Sequence, residues 1–441
     1  MLRYTATRLL LIPPKLFVII LVLFGVLNLA GAPSLDSGES ATAGGAAAWA
    51  TFRRQYHLDL PVLVNLRWLT STETVREWTS AANGVDPVAR VAAQDLLDDY
   101  GVEAIPGLIA EVRLGADPGV RADASRRLGA LVSERKEWIW AADAPGAEVA
   151  RKTDQWAEWW KANSARLERS PAGKLEQTLL ETRLAFYLCN LVHLDLGESS
   201  VTRQPVFDAI LARLPCSLLL TGSSLTLAYL LALPIGVYSA VRRGSRLDIV
   251  LTIVLFALFS LPAFFTATTL LQVFATGVGR WFPNGGLTTP DTASYTALER
   301  IIDVAWHLVL PVATYTSGVL AFLSRYARVG VLDVIRSDHV RTARAKGLEE
   351  GVVILRHAAR NGLLPILTVL GSLLATLVGG SVIIETVFSL PGMGLYLFES
   401  IGSRDYNAVM GVLILSSAMT LVGVFLADLA YAVADPRVSF D

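Results

Sequence analysis

Six apolar runs, each long enough to cross a hydrocarbon core, limit what this chain can become more than any other feature of its sequence. They are Leu9–Ala30, Cys216–Val241, Ile249–Ala275, Ala305–Ser324, Leu363–Phe388 and Ala408–Ala434, and roughly 20 helical residues span a bilayer core of about 30 Å. The runs are continuous rather than alternating, which argues against a membrane β-barrel and predicts helices. With 53% hydrophobic and only 17% charged residues, the composition fits an all-α membrane protein. A net charge of −1 supplies no basic field for nucleic acid.

One polar stretch interrupts the pattern. Residues 31–215 carry 20 Lys and Arg against 25 Asp and Glu, so an acidic block separates the first two spans. The first run is longer than a secretory signal core and is read as a span, although Ala30-Gly31-Ala32 resembles a cleavage site. Basic residues in short loops set orientation. Arg3 and Arg8, then Arg242, Arg243 and Arg246, then eight basic residues from Arg325 to Arg360, then Arg437 fall on one side, against only Arg280, Arg300 and Arg404 on the other. Both termini are therefore expected in the cytoplasm and residues 31–215 outside it. Cys189 and Cys216 alone give no disulfide framework.

Within the spans, Glu385 and Asp428 lie near ends and are read as helix-end residues. An ion-driven carrier would place a carboxylate near the midplane, and none is evident. Pro234, Pro262 and Pro311 predict bent helices. Gly371, Ala375 and Gly379 recur every four residues and form a smooth stripe for helix packing, within the chain or against a second subunit. Thr221, Ser223, Ser224, Thr226, Thr268, Thr316 and Ser372 are candidate polar pore residues compatible with several substrates.

Catalytic constellations are missing from the sequence. There is no G-x-x-x-x-G-K-[ST] to cradle a nucleotide phosphate, no H-E-x-x-H pair, and no G-x-S-x-G elbow. No His or Cys cluster is present to hold a metal. The chain is expected not to be an enzyme and to bind no cofactor.

The loop between the fourth and fifth runs is more organised than a basic tether needs to be. Ser337 or Asp338 can cap a short helix from His339 to Lys346, and Gly347 is suited to end it in a left-handed turn. A second helix would start at Leu348, with Glu349 and Glu350 at its positive end and Arg356 and Arg360 at its negative end. The pair predicts a compact knob.

These residues carry a resemblance. Asp338-His339-Val340-Arg341-Thr342-Ala343-Arg344-Ala345-Lys346-Gly347, then Arg356-His357-Ala358-Ala359-Arg360-Asn361 and Leu364-Pro365, resemble the coupling loop of ABC importer permeases, in particular the B-type subunit of the dipeptide, oligopeptide and nickel subfamily. Arg341 and Thr342 replace the Glu and Ala of the general motif, whereas Ala343 and Gly347 match it. Glu385 through Gly394, Arg404-Asp405-Tyr406 and Asp435-Pro436-Arg437 resemble later family segments, and about 320 of the 441 residues are covered.

The resemblance implies a type I importer permease fold of six transmembrane helices in a bacterial plasma (inner) membrane, forming half of a pathway for peptides or similar small solutes. It implies a second permease subunit, two cytoplasmic ATPases that use ATP and magnesium, and an extracytoplasmic solute-binding protein. Coupling to the ATPases would fall to Asp338, Arg341, Thr342, Ala343, Lys346, Gly347, Arg356 and His357, with Ala343 and Gly347 at the closest approach. The alternatives are a secondary transporter and a non-transporting membrane scaffold.

The expected domains are residues 1–30, the N-terminal end and first helix; 31–215, extracytoplasmic; 216–434, a five-helix core with its coupling loop at 325–361; and 435–441, a tail. The family's connection between its first two spans is much shorter, so residues 70–185 form an insertion. Within it Asp86-Pro87-Val88-Ala89-Arg90 and Asp117-Pro118-Gly119-Val120-Arg121 recur after 31 residues, which suits a helical, HEAT-like repeat. Trp156 and Trp160 share a helical face and are expected to cap its core.

Overall fold

A computed structural model describes residues 7–29, 59–167, 170–277, 280–290, 294–363, 366 and 380–434. The regular secondary structure among the described residues is helical, apart from one isolated bridge between Glu198 and Pro205. In chain order the helices are α1 (Ile12–Leu29), α2 (Thr72–Ala82), α3 (Pro87–Tyr100), α4 (Ile105–Leu114), α5 (Pro118–Leu131), α6 (Gly146–Leu167), α7 (Pro171–Leu180) and α8 (Arg183–Val192). They continue as α9 (Val206–Val241), α10 (Arg246–Ser260), α11 (Ala263–Leu271), α12 (Ala297–Val334), α13 (Asp338–Ala345), α14 (Glu350–Val352), α15 (Val382–Val387), α16 (Met393–Gly402) and α17 (Tyr406–Ala434). The chain divides into two compact units, one of Asn28–His193 and one of Met1–Leu27 with Leu194–Asp441.

The Asn28–His193 unit is built like a protein in water. The helices α2 and α3 pack as one pair and α4 and α5 as the next. The second helix of each pair opens on Asp-Pro: Asp86 accepts from the Val88 amide and Asp117 from the Gly119 amide, at 3.0 and 2.7 Å. Aspartate relieves an orphan amide of the first turn, and proline at the first helical position lacks the amide that would otherwise go unpaired. Behind these caps lies one core, with Val75, Leu97, Ile105, Leu108, Leu128 and Trp156 buried. Trp156, on α6, is fully buried and meets Trp138 and Trp159 edge-on at 5.0 and 6.0 Å. Trp160 packs partly buried against the same core.

In the larger unit four helices among the described residues are long and apolar enough to cross a membrane: α1 and α17 beside the much longer α9 and α12. The third apolar run departs from expectation. It is broken into α10 and α11, and the helix axes turn by 97° at Leu261-Pro262. Proline disfavours helical backbone in the residue before it, and Leu261 is extended, with φ −82° and ψ 127°. Pro234 and Pro311 stay inside continuous helices. Most of the expected fifth span, with Gly371, Ala375, Gly379 and Ser372, lies outside the described residues, as does the Leu364-Pro365 pair.

Candidate functional site

The knob forms where the sequence places it, with shifted ends. Its first helix, α13, starts at Asp338 after Ser337, whose hydroxyl donates to the Val334 carbonyl instead of capping an amide. Thr342 and Arg344 carbonyls accept from the Lys346 and Gly347 amides at 3.1 and 2.9 Å, closing the helix. Gly347 has φ +75°, the left-handed conformation that costs other L-residues roughly 1–2 kcal/mol. A Cβ there would meet open space, so glycine is required at this turn for its backbone angle rather than for clearance within the chain. The second helix starts two residues later than expected, at Glu350. It passes through a π-helical turn, Val353–Ala359, and ends at Gly362.

Val340, Ala343, Val353 and Ala358 are buried together, with Val334 of α12 and the Ile335 that follows it packed beside them. Ala343 therefore faces the knob's own core, and the expectation that it lies at the surface of closest approach is revised. Small and β-branched side chains let two short helices close on each other here. Asp338, Arg341, Thr342, Lys346, Gly347 and Arg356 are exposed, and His357 is half-buried. Arg344 grips Glu350 across the turn with two hydrogen bonds, Nη2 to Oε1 at 2.7 Å and Nε to Oε2 at 3.1 Å. That hydrogen bond and the guanidinium charge hold the Glu350 carboxyl below its usual range.

The knob is joined to α12 by a crossing the sequence reading did not single out. A Cβ on Gly330 would lie 2.0 Å from the Gly362 carbonyl oxygen, and one on Gly362 would lie 2.7 Å from that of Gly330. Both obstacles are backbone, so only glycine permits the approach. The same stretch of α12 meets two further helices. Gly236 of α9 lies where a Cβ would be 2.3 Å from that of Ala327. Arg328 donates to buried Asp248 of α10 at 2.9 Å and to Thr252 at 3.2 Å. Residues 324–331 thus tie α9, α10 and the knob to one mast. Glycine inside a helical pattern was the signal available for this junction.

A second cluster surrounds Glu385. The side chain is fully buried, which corrects its reading as a helix-end residue reaching an interface. Its Oε1 accepts from the Ser217 hydroxyl and the Ser381 amide at 2.9 and 3.1 Å, and its Oε2 from the Leu395 amide at 3.0 Å. Ser217 in turn accepts from the Met393 amide at 2.8 Å. A Cβ on Gly380 or Gly392 would stand 2.4 Å from the carboxylate. The glycines of the Leu390-Pro391-Gly392-Met393-Gly394 loop make room for an acid that organises the loop through backbone donors.

The candidate pore residues divide. Thr221, Ser224 and Thr316 are buried, and the Thr316 hydroxyl donates to the Ser224 carbonyl at 3.2 Å, joining α9 to α12. Ser223, Thr226 and Thr268 bond back to their own helices; Ser223 is half-buried, Thr226 and Thr268 exposed. For Asp428 no side-chain environment is described.

Long apolar helices tied to a compact loop-borne knob define a helical membrane protein with an organised, exposed loop. Residues 232–440 match the family of binding-protein-dependent transport system inner membrane components. The chain is 38% identical over 255 residues to the oligopeptide transport system permease protein AppB of Bacillus subtilis (strain 168), covering 58% of this chain and 79% of that protein. It is 36% identical over 254 residues to the dipeptide transport system permease protein DppB of the same organism, covering 57% and 77%. Against the di/tripeptide transport system permease protein DppB of Pseudomonas aeruginosa (strain UCBPP-PA14) it is 35% identical over 265 residues, covering 57% and 79%. The chain belongs to this family, as a permease subunit of an ABC importer in the inner membrane.

Proposed function

We propose that the chain forms half of an import pathway for peptides or similar small solutes, and that its knob seats in a groove of an ATPase subunit. The observation that carries this is the Gly330–Gly362 crossing, where two backbones are in contact. A push on the exposed knob would reach α12 without passing through flexible side chains, and α12 would pass it to α9 and α10 through Gly236 and Asp248. Asp338, Arg341, Thr342, Lys346, Gly347, Arg356 and His357 would meet the ATPase, and Ala343 would keep the knob rigid. The peptide assignment follows the names carried by the relatives.

The same reading gives six transmembrane helices in the type I arrangement. Both termini would be cytoplasmic, residues 31–215 extracytoplasmic, and the permease core would extend over 216–434. A second permease, two ATPases that use ATP and magnesium, and a solute-binding protein would complete the importer. Residues 70–185 would be a HEAT-like helical domain that contacts other proteins. Deleting Thr72–Leu184 with a short Gly-Ser bridge should leave assembly intact and weaken the dependence of uptake on binding-protein concentration.

The test is uptake of a labelled peptide by proteoliposomes holding this chain with and without its partner subunits. Uptake that requires ATP and the partners supports the proposal. Uptake by the chain alone on an ion gradient would make it a secondary transporter, and assembly without uptake of any peptide or small solute would leave the scaffold.

A further inference from the structure

Residues 281–290, which lead from α11 toward α12, are tied down at both ends and in the middle. At the start, the Trp281 and Phe282 amides donate to the Phe274 carbonyl at 2.8 and 3.2 Å, and the Phe282 ring stacks on Trp306 of α12 with centroids 4.5 Å apart. At the end, Thr289 brings two donors to one carboxylate of α12: its amide meets Asp303 Oδ2 at 2.8 Å and its hydroxyl meets Oδ1 at 2.6 Å. Hydrogen bonds to an ionised acceptor are roughly twice as strong as neutral ones. His307, one turn further along α12, leaves that carboxylate to Thr289, since its Nδ1 faces the Asp303 carbonyl oxygen at 2.8 Å and Oδ1 only at 3.4 Å.

In the middle, the segment lies against the end of α15. The Gly286 amide donates to the Phe388 carbonyl at 2.9 Å, and a Cβ on Gly285 would stand 2.9 Å from the same oxygen. Leu287 packs against the core that holds Phe388 and Leu390. The last carbonyls of a helix have no partner within it, and here the partner arrives on a segment gripped by another helix. Ser389, beside that carbonyl, takes φ +50°, the conformation in which a helix end usually carries glycine. A non-glycine residue persists there only where its surroundings over-determine it.

The mast formed by α12 therefore has a tie at each end. Asp303 and Gly330 lie on one continuous helix, about 40 Å apart at 1.5 Å per residue. Gly330 meets the knob, and Asp303 holds the segment that caps α15, just ahead of the loop organised by Glu385. Resting on the importer function given above, we propose that Asp303 is a positioning residue for transport. By gripping Thr289 it seats residues 281–290 on the Phe388 carbonyl, so that the end of α12 remote from the knob and the Glu385 loop move as one body when the ATPases act. Without the grip the knob would still drive α12, but the Glu385 loop would no longer follow: hydrolysis would continue while uptake failed.

The test measures labelled peptide taken up per ATP hydrolysed by the assembled importer in proteoliposomes. In Asp303→Ala this ratio should fall about tenfold, within the range of coupling changes seen along connecting elements, and in Asp303→Asn, which keeps an acceptor for one Thr289 donor, it should fall less. A ratio equal to that of the wild type, whether both rates drop together or neither does, overturns the proposal. A second measurement reads the seating itself, by the distance between spin labels at T288C and I383C, both exposed positions. The exposed Cys189 is replaced by Ser and the buried Cys216 is left in place. The distance distribution should be narrow and the same with and without vanadate-trapped nucleotide, and Asp303→Ala should broaden it. No broadening in the variant, or a shift on trapping in the wild type, also overturns the proposal. If the wild-type importer takes up no peptide, the importer reading is what fails, and the label distances still decide whether Asp303 seats the segment.

Discussion

The two units of this chain solve packing in opposite ways. In the Asn28–His193 unit specificity comes from large side chains and capped helices: Trp156 is enclosed by Trp138 and Trp159, and Asp86 and Asp117 fix where helices begin. In the larger unit the decisive positions have almost no side chain. Gly236, Gly330 and Gly362 let helices approach until backbone meets its neighbour, and a buried acid such as Glu385 is held by amides. The difference follows from solvent. Burying apolar surface drives assembly in water, but lipid is as apolar as leucine, so helices in it gain mainly from close contact and hydrogen bonds.

The comparison is broken most severely at the glycine crossing. Gly330→Leu should eliminate uptake and the folded yield of the larger unit, because the obstacle is a carbonyl that cannot rotate away; ordinary overpacking costs about 1–3 kcal/mol, and this site should exceed that. Size-exclusion yield and uptake measure it, and wild-type behaviour would remove the mast from the account. Next, Trp156→Ala should cost about 3–5 kcal/mol, confined to its own unit. Hydrogen exchange should rise over α2–α6 and stay unchanged over α9 and α12; a rise in both would show that the units do not fold as separate cores.

The smallest effect is electrostatic. Arg344→Ala should loosen α13 against the second knob helix at neutral pH. Because the Glu350 carboxyl is held below its ordinary value, the pair's contribution is present above the unfolded carboxylate pKa, about 4.3. It is lost as pH falls through the lowered folded value. Hydrogen exchange over residues 338–352, corrected for intrinsic rates, should therefore differ between variant and wild type at pH 7 and converge in acid. A difference that persists unchanged in acid would assign the effect to something other than the ion pair.

Much of this was legible in the sequence for one reason: backbone angle and helix capping are local. Gly347 as a left-handed stop and the Asp-Pro openings of α3 and α5 need only a few neighbouring residues to be read. The 97° break was half legible, since Pro262 announces a bend without its size. Long-range approaches were not readable. Nothing near Gly330 points to Gly362, and Glu385 resembled a helix-end acid because Ser217, on a distant helix, and the Leu395 amide are brought to it by the fold. Ala343 was misjudged for a related reason, because a motif position does not say which face of a short helix is inward.

The central claim is that the knob carries ATPase motion into α12, and position 347 tests it most directly. Gly347→Asn retains a residue tolerant of positive φ, whereas Gly347→Val does not, and neither meets a steric obstacle within the chain. With the assembled importer in proteoliposomes, the account predicts that ATP-driven uptake falls steeply in Gly347→Val, survives largely in Gly347→Asn, and that both variants insert normally. Normal ATP-coupled uptake in Gly347→Val would contradict it.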